Sequence, residues 1–174
     1  MDKSKSREDY FLRAETACGT AGLTYRVSPF AITGVFLPGC ADEKVIAGKN
    51  AESPPCDDAK RAVLSLVEYF AGQAPDLSQF LPVLDLSCLT LAQIEVLKAT
   101  AAIPRGETRS YGELAEAVGR PKAARFVGNV MANNPFPVII PCHRVVRAGG
   151  DIGNFGGGVE LKARMLELEK TKDS

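Results

Sequence analysis

The spacing of hydrophobic and polar residues divides this chain into a β-rich first part and a helical second part. Residues 23–27 and 31–37 are rich in β-branched and aromatic side chains and end at proline-containing turns, which predicts two strands. Over residues 57–71 the apolar side chains recur with helical spacing instead, and Asp57 stands where a capping residue is expected. The helical stripe consists of Val63, Leu66, Val67 and Phe70.

Two capping boxes mark helix starts in the second part of the chain. Thr90 is followed three residues later by Gln93, and Ser110 is followed three residues later by Glu113. In such a box the hydroxyl accepts a hydrogen bond from the backbone of the first helical turn, and the Glu or Gln side chain bonds back to the capping residue. The boxes therefore predict helices over residues 90–102 and 111–118.

A third helix with a basic outer face is expected over residues 122–133, between the turn at Gly119 and Pro135. Two short helices joined by a tight, glycine-containing turn are typical of the helix-turn-helix. A polar and basic face suits contact with DNA, although many such faces are simply solvated. This face carries Lys122, Arg125, Asn129 and Asn133.

Residues 73–86 contain prolines and show no periodicity, so we expect a linker there. The chain is therefore interpreted as an α/β protein with a small N-terminal β-sheet-plus-helix domain, residues 1–85. A mostly helical C-terminal domain with the helix-turn-helix follows over residues 86–174. Residues 1–10 are charged and lack the apolar stretch of a signal peptide, and we expect them to be a disordered tail.

Composition favours a globular protein of a reducing compartment. Of the 174 residues, 45% are hydrophobic and 24% are charged, which is close to the average for soluble domains. No apolar run approaches the roughly 18 residues of a membrane span. The five cysteines are an odd number without Cys-x-x-Cys spacing, so we expect a cytoplasmic protein without disulfides. With a single histidine, a metal site is not expected either.

Charge is balanced overall but not locally. The net charge is zero, which argues against a generic nucleic-acid binder. Residues 103–147 nevertheless carry seven basic and three acidic side chains. This local excess of positive charge fits a segment that faces DNA phosphates, and it also fits a solvated basic surface.

The only histidine of the chain, His143, directly follows Cys142. A thiol becomes a strong nucleophile as thiolate, and imidazole is the side chain best suited to take its proton near neutral pH. An isolated Cys-His pair is also compatible with a buried cysteine that packs as a small hydrophobe. The surrounding motifs decide between these interpretations.

The motifs follow one another as helix-turn-helix, Asn-Pro turn, apolar strand and Pro-Cys-His-Arg-Val. This order resembles the O6-alkylguanine-DNA alkyltransferases, the methylated-DNA–protein-cysteine methyltransferases. The resemblance covers residues 89–169, about half the chain. It is carried by Gly106-Glu107-Thr108-Arg109-Ser110-Tyr111-Gly112-Glu113-Leu114-Ala115, Lys122-Ala123-Ala124-Arg125, Asn134-Pro135, Ile139-Ile140-Pro141-Cys142-His143-Arg144-Val145-Val146 and Gly153-Asn154-Phe155-Gly156-Gly157-Gly158.

The resemblance implies a DNA repair protein, a methylated-DNA–[protein]-cysteine S-methyltransferase. Such a protein flips an O6-alkylguanine out of the duplex and moves its alkyl group irreversibly, once per molecule, to Cys142. His143 is implied to relay the thiol proton through a water, and Glu169 to orient and charge the imidazole. Tyr111 is implied to turn the flipped nucleotide and to donate to the leaving guanine, and Asn134 to tie the recognition helix to the active-site loop. We accordingly expect the pKa of Cys142 to lie below the roughly 8.5 of a free thiol.

The same resemblance predicts a DNA-binding face and a substrate pocket. Arg125 is expected to fill the gap that a flipped base leaves. The other expected DNA contacts are Tyr111, Lys122, Ala124, Gly128 and Asn129, and the expected pocket residues are Pro137, Val145, Phe155, Gly156 and Gly157. Phe155 stands where the family usually has tyrosine, Gly156 where some members have serine, and Phe126 where a small residue is frequent. These differences concern the range of alkyl groups more than the reaction type.

Two other functions are alternatives. An alkyltransferase-like protein binds lesions without repairing them, but such proteins carry a non-nucleophilic residue where this chain has Cys142. A transcriptional regulator would place its helix-turn-helix in the major groove, but the zero net charge and the Cys-His motif count against it. The expected partner is double-stranded DNA containing O6-alkylguanine, bound by a monomer without cofactor or membrane contact.

Overall fold

A four-stranded sheet forms the first part of the chain in a computed structural model that describes residues 8–40, 49–51 and 55–170. Antiparallel pairing joins the first three strands, and the two-residue fourth strand runs parallel to the first. The strands are β1 (Tyr10–Thr16), β2 (Gly19–Val27), β3 (Phe30–Phe36) and β4 (Asn50–Ala51), in the order β3-β2-β1-β4. The strands predicted over residues 23–27 and 31–37 are confirmed as β2 and β3.

Strand β1 was not predicted, and it begins inside the segment expected to be a disordered tail. Tyr10 pairs with Tyr25 of β2, so the tail cannot extend to residue 10. The expectation for residues 1–7 lies outside the described residues. Arg13 and Glu15 are exposed and alternate with more buried neighbours, which is the period-two signal that identifies a half-buried strand.

Helix α1 (Asp57–Phe70) packs on β1 and β2 through a buried face. Its N-cap is Cys56, which makes no side-chain capping hydrogen bond. The prediction of Asp57 as the cap was therefore wrong by one residue. Asp57 lies in the first turn, where a carboxylate interacts favourably with the helix dipole, and it pairs with Lys60 at 3.0 Å. The buried face consists of Ala59, Ala62, Val63, Ser65, Leu66, Tyr69 and Phe70.

The segment expected to be an aperiodic linker contains a 3-10 helix, Leu77–Val83. The Asp76 carboxylate caps it by accepting a hydrogen bond from the Ser78 N–H at 3.0 Å. Phe80, only 2% exposed, anchors it in the core. The linker prediction was wrong for this stretch because one Asp cap and one buried aromatic ring suffice to order a short turn of helix.

The second part of the chain is mostly helical, and both predicted capping boxes are present. Its elements are α2 (Leu91–Ala101), β5 (Arg109–Ser110), α3 (Tyr111–Ala117), α4 (Ala124–Ala132), β6 (Val145–Val146) and α5 (Val159–Lys170). Helices α2, α3 and α4 pack against one another, and β5 pairs with β6 in parallel. Helix α4 begins two residues later than predicted because Ala123 adopts a non-helical ψ of 22°.

One hydrophobic cluster runs through both parts of the chain. The backbones also join: the Val35 N–H donates to the Pro135 carbonyl at 2.8 Å, and the Asp85 N–H donates to the Ile32 carbonyl at 2.8 Å. The α/β fold class is confirmed, while the division at residues 85/86 stays a prediction. Among the described residues, no helix is long and apolar enough to cross a membrane.

Candidate active site

The segment between α4 and the Cys-His pair is a turn rather than the predicted apolar strand. The Asn134 side chain donates from Nδ2 to the Ile140 carbonyl at 2.9 Å and accepts from the Phe136 N–H at 3.0 Å. The turn holds Val138 at a φ of 73°, a backbone conformation that β-branched residues rarely adopt. Asn134 thereby fixes the end of α4 to the backbone just before Cys142.

Cys142 lines a cavity of about 460 Å³ between α4 and the loop before α5. It opens the 3-10 helix Cys142–Arg144 and is 4% exposed. The volume falls within the range of small-ligand sites. The lining residues are Tyr111, Gly128, Asn129, Met131, Ala132, Cys142, Arg147, Asn154, Phe155 and Gly156. In the described part of the chain, no three Cys, His, Asp or Glu side chains form a group able to hold a metal ion.

Three of the five predicted pocket residues do not line this cavity. Pro137 and Val145 are buried, and Val145 pairs with Arg109 in the small parallel sheet. Gly157 lines a neighbouring cavity together with Pro38 and Arg164. Phe155 and Gly156 do line the cavity at Cys142, and sequence reasoning missed Met131, Ala132, Arg147 and Asn154.

The carboxylate of Glu169 holds one side of the His143 ring. Its Oε1 lies 2.7 Å from Nε2 of His143, and both side chains are fully buried. Arg144 donates to the same carboxylate from Nε at 2.8 Å and from Nη2 at 2.9 Å. The other ring nitrogen of His143, Nδ1, is buried and has no hydrogen-bond partner among the described residues. Helix α5 therefore orients the imidazole through one nitrogen and leaves the other available as a base.

Sequence reasoning missed a tyrosine that completes this network. The Tyr69 hydroxyl donates to Oε1 of Glu169 at 2.9 Å and lies 3.0 Å from Nε2 of His143. Tyr69 belongs to α1 and stands 74 positions before His143 in the chain. No local motif marks it, and the one available signal is that a buried tyrosine hydroxyl needs a polar partner.

Burial decides the protonation of the Cys-His pair. It raises the pKa of the Cys142 thiol, and the Asn134 hydrogen bond and the Lys162 charge lower that pKa by less. The expectation of a pKa below that of a free thiol was therefore wrong, because desolvation of the thiolate dominates. Burial also lowers the pKa of His143, against the opposing effect of Glu169. At neutral pH the site holds a neutral thiol and a neutral imidazole.

The remaining acids of the site differ in their protonation. Burial acts to raise the pKa of Glu169, but hydrogen bonds from His143 and Arg144 outweigh it and hold the pKa well below its usual range. Burial raises the pKa of Tyr69, and the negative charge of Glu169 raises it further. Burial likewise raises the pKa of the half-buried Tyr111. The site thus combines an ionised carboxylate with two phenols that keep their protons.

Lys162 is a buried cation that joins three elements next to the cavity. Its ammonium donates to the Val145 carbonyl at 2.7 Å and to the Ile152 carbonyl at 2.6 Å. It also lies 5.8 Å from the ring centroid of Phe155. Burial lowers the pKa of Lys162 to about 8. Lys162 therefore fixes the loop that carries Phe155 to α5 and β6.

Helix α4 presents a smaller polar face than the sequence predicted. Arg125 and Asn129 are exposed on the helix, whereas Lys122 is exposed in the turn before it. Asn133 turns back and donates to the Asn129 carbonyl at 2.8 Å. The other predicted DNA contacts on this helix, Ala124 and Gly128, are half-buried. Within the helix, the exposed face therefore carries one cation, Arg125.

Comparisons with known proteins find relatives of one family. The family described as 6-O-methylguanine DNA methyltransferase, DNA binding domain, matches residues 92–171. A methylated-DNA–protein-cysteine methyltransferase of Mycobacterium leprae is 51% identical over 109 residues, which are 63% of this chain and 64% of that protein. The match thus spans slightly less than two thirds of that relative's length.

Solved structures extend the likeness over nearly the whole chain. The crystal structure of Mycobacterium tuberculosis O6-methylguanine methyltransferase is 34% identical, covers 95% of each chain and has a TM-score of 0.77. A structure of Mycobacterium tuberculosis OGT in complex with DNA is 35% identical, covers 94% of this chain and 92% of that one, and has a TM-score of 0.76. The structural match therefore includes both parts of the chain.

Proposed function

This chain belongs to the methylated-DNA–protein-cysteine methyltransferase family, and from that premise we propose that it repairs O6-alkylguanine in DNA by taking the alkyl group onto Cys142. The position of Cys142 carries the proposal. Its thiol faces a cavity of a size suited to a small ligand, and the neighbouring His143 is tied to Glu169 on one side only. A buried cysteine that merely packs in a core has no need of such a cavity or of an ionised carboxylate behind its neighbour.

In the proposed reaction the thiol proton of Cys142 passes to Nδ1 of His143, through one bridging water as the family resemblance implies. Glu169 stabilises the resulting imidazolium. The thiolate sulfur then attacks the alkyl carbon, so that a sulfur–carbon bond forms while the carbon–O6 bond breaks. The electron pair of the broken bond stays on the guanine, which takes a proton from the Tyr111 hydroxyl. Tyr111 regains a proton from solvent, and the His143 imidazolium releases its proton to solvent.

The reaction needs no cofactor and ends after one turnover. The nucleophile, the base and the proton donor all belong to this chain. The product is a thioether, which water does not displace at useful rates. One protein molecule should therefore remove one alkyl group.

The proposal includes base flipping, because an atom within the stacked duplex is out of reach of a buried thiol. Arg125 on α4 is the exposed cation nearest in sequence to the cavity-lining Gly128 and Asn129, and we assign it to the gap left by the flipped nucleotide. Lys122 and Asn129 are assigned to the DNA backbone. Phe126 packs against the core and takes no part in this assignment.

We further propose a monomer in a reducing compartment. All groups of the network around Glu169 come from one chain, so a second copy is not required. None of the five cysteines forms a disulfide, in keeping with cytoplasmic conditions. A DNA-binding regulator has no use for the Cys142 site, and an alkyltransferase-like protein lacks the thiol, so neither alternative is favoured.

Incubation with an O6-methylguanine duplex followed by intact-mass and peptide analysis tests the proposal. We expect one added methyl group per protein, located on Cys142, and none in Cys142→Ser. Cys88→Ser is the matched control, because Cys88 is exposed and lies outside the cavity. Methylation of another cysteine, or turnover beyond one equivalent, would contradict the proposed reaction.

A further inference from the structure

The geometry points to Tyr69 as a positioning residue that fixes the tautomer of His143, so that Nδ1 is the nitrogen that accepts the thiol proton. This inference rests on the proposed function. It concerns a side chain from the first part of the chain that acts through His143 rather than on the substrate. Tyr69 is 1% exposed and does not line the cavity.

Counting protons over three atoms gives the tautomer. Oε1 of Glu169 lies 2.7 Å from Nε2 of His143 and 2.9 Å from the Tyr69 hydroxyl. An ionised carboxylate only accepts hydrogen bonds, so both neighbours must donate to it. The phenol has one hydrogen, and it donates this hydrogen to Glu169 in a hydrogen bond. Towards His143, at 3.0 Å, the phenol oxygen is therefore an acceptor.

Both contacts thus require a hydrogen on Nε2. A neutral imidazole has one N–H, so Nδ1 carries the lone pair. The opposite tautomer would set an imidazole lone pair against a carboxylate oxygen at 2.7 Å. With Glu169 alone the ring can still rotate or tilt about a single contact. The phenol oxygen supplies a second acceptor for the same N–H and so restricts the ring to one orientation.

The position of Tyr69 is fixed by contacts that do not involve His143. Its ring meets Phe70 edge-on, with centroids 5.2 Å apart. The Arg105 guanidinium lies 5.9 Å from the Tyr69 ring centroid and donates to the carbonyls of Gly72 and Leu168, at 3.2 and 2.8 Å. Arg105 thereby joins the ends of α1 and α5. The hydroxyl is held beside Glu169 before any substrate binds.

Nitrogen NMR of the imidazole tests this assignment directly, because His143 is the only histidine of the chain. In ¹⁵N-histidine-labelled protein we expect a protonated Nε2 and an unprotonated Nδ1. In Tyr69→Phe we expect the two ring shifts to move towards each other as the tautomers mix. We also expect methyl transfer to slow about tenfold, in line with the loss of one hydrogen bond to a charged network, while duplex binding is unchanged.

Leu66→Ala is the matched control, since Leu66 is buried in the same helix and its truncation disturbs the core but keeps the Tyr69 hydroxyl and the contacts of its ring with Phe70 and Arg105. It should lower the unfolding midpoint at least as much as Tyr69→Phe and keep the wild-type ring shifts. A wild-type spectrum with the hydrogen on Nδ1, or a Tyr69→Phe spectrum identical to wild type, would overturn the inference. If wild type and Tyr69→Phe transferred the methyl group at the same rate, the inference would also be overturned, while the proposed function would stand. A Tyr69-dependent tautomer in a protein that transfers no methyl would refute only the proposed function.

Discussion

The buried site around His143 and the exposed face of α4 are built in opposite ways. The Glu169 carboxylate accepts hydrogen bonds from Tyr69, His143 and Arg144, and its side chain is fully buried. On α4 the key side chain, Arg125, is exposed to solvent. Electrostatic interactions are strong in the first environment and screened in the second. The contacts of the buried site are thus complete in the free protein, whereas those of the exposed helix face form only when DNA binds.

The largest expected effect concerns the buried side of this comparison. His143→Gln removes the base but keeps an amide that can still contact Glu169. Because a positioned general base contributes about 10²- to 10⁴-fold, methyl transfer should slow by at least about a hundredfold in single-turnover kinetics. The affinity for duplex DNA should not change, as His143 is fully buried. An unchanged transfer rate would leave His143 a structural residue and refute the proton relay.

A smaller effect is expected on the exposed side. If Arg125 fills the vacated stack, Arg125→Ala should slow repair of duplex DNA about tenfold. This factor corresponds to a part of the few kcal/mol that unstacking a base costs. Reaction with free O6-benzylguanine needs no flipping and should keep its rate. Equal slowing on both substrates would show that Arg125 supports the pocket itself.

Lys122→Ala provides the contrast to Arg125→Ala, since Lys122 is exposed in the turn before α4. Loss of a phosphate contact should weaken binding to all duplexes alike and reduce the salt dependence by about one unit of slope. Binding titrations at several salt concentrations, with and without the lesion, measure this. If Lys122→Ala instead slows repair without weakening binding, the two assignments must be exchanged.

The smallest effect is on stability and follows from the lowered pKa of His143. Below its usual pKa of about 6.5, the unfolded chain binds a proton that the folded chain excludes, so stability falls as the pH decreases. Each pKa unit of lowering contributes about 1.4 kcal/mol. Glu169, whose pKa is also lowered, adds a second loss as the pH falls below its usual 4.5. The free energy of unfolding, measured with urea between pH 7 and 5, should fall more steeply with decreasing pH in wild type than in His143→Gln. An equal dependence on pH would contradict the neutral buried imidazole.

Features encoded within a few neighbouring residues could be predicted from the sequence more reliably than contacts between distant elements. The two capping boxes were predicted correctly because each is complete within four residues. Cys142, His143 and Glu169 were identified through a family resemblance, and the structure brings the last two into contact. Tyr69 was missed because its partners lie in other elements. The pKa of Cys142 was expected to move in the wrong direction because sequence shows the neighbouring base but not the burial, which dominates.

Errors in the elements have similar physical causes. The apolar residues after Asn134-Pro135 predicted a strand, but hydrogen bonds of the Asn134 side chain to Phe136 and Ile140 hold this segment in a turn. Strand β1 was not predicted, and the tail expected over residues 1–10 overlaps it only at Tyr10. Its pairing with β2 supplies the stability that composition alone does not indicate.

The reach of Tyr69 into the network around Glu169 bears on how proteins of this kind can be recombined. The boundary between the two parts of the chain passes through the reactive centre rather than around it. Replacing the first part of the chain by that of a relative would therefore replace the side chain at the position of Tyr69 as well as the sheet and helix that carry it. A hybrid that folds well but brings no hydroxyl to Glu169 would inherit the nucleophile and the base without the contact that aligns them. Compatibility between the parts is thus set by one phenol oxygen as much as by the apolar surface they share.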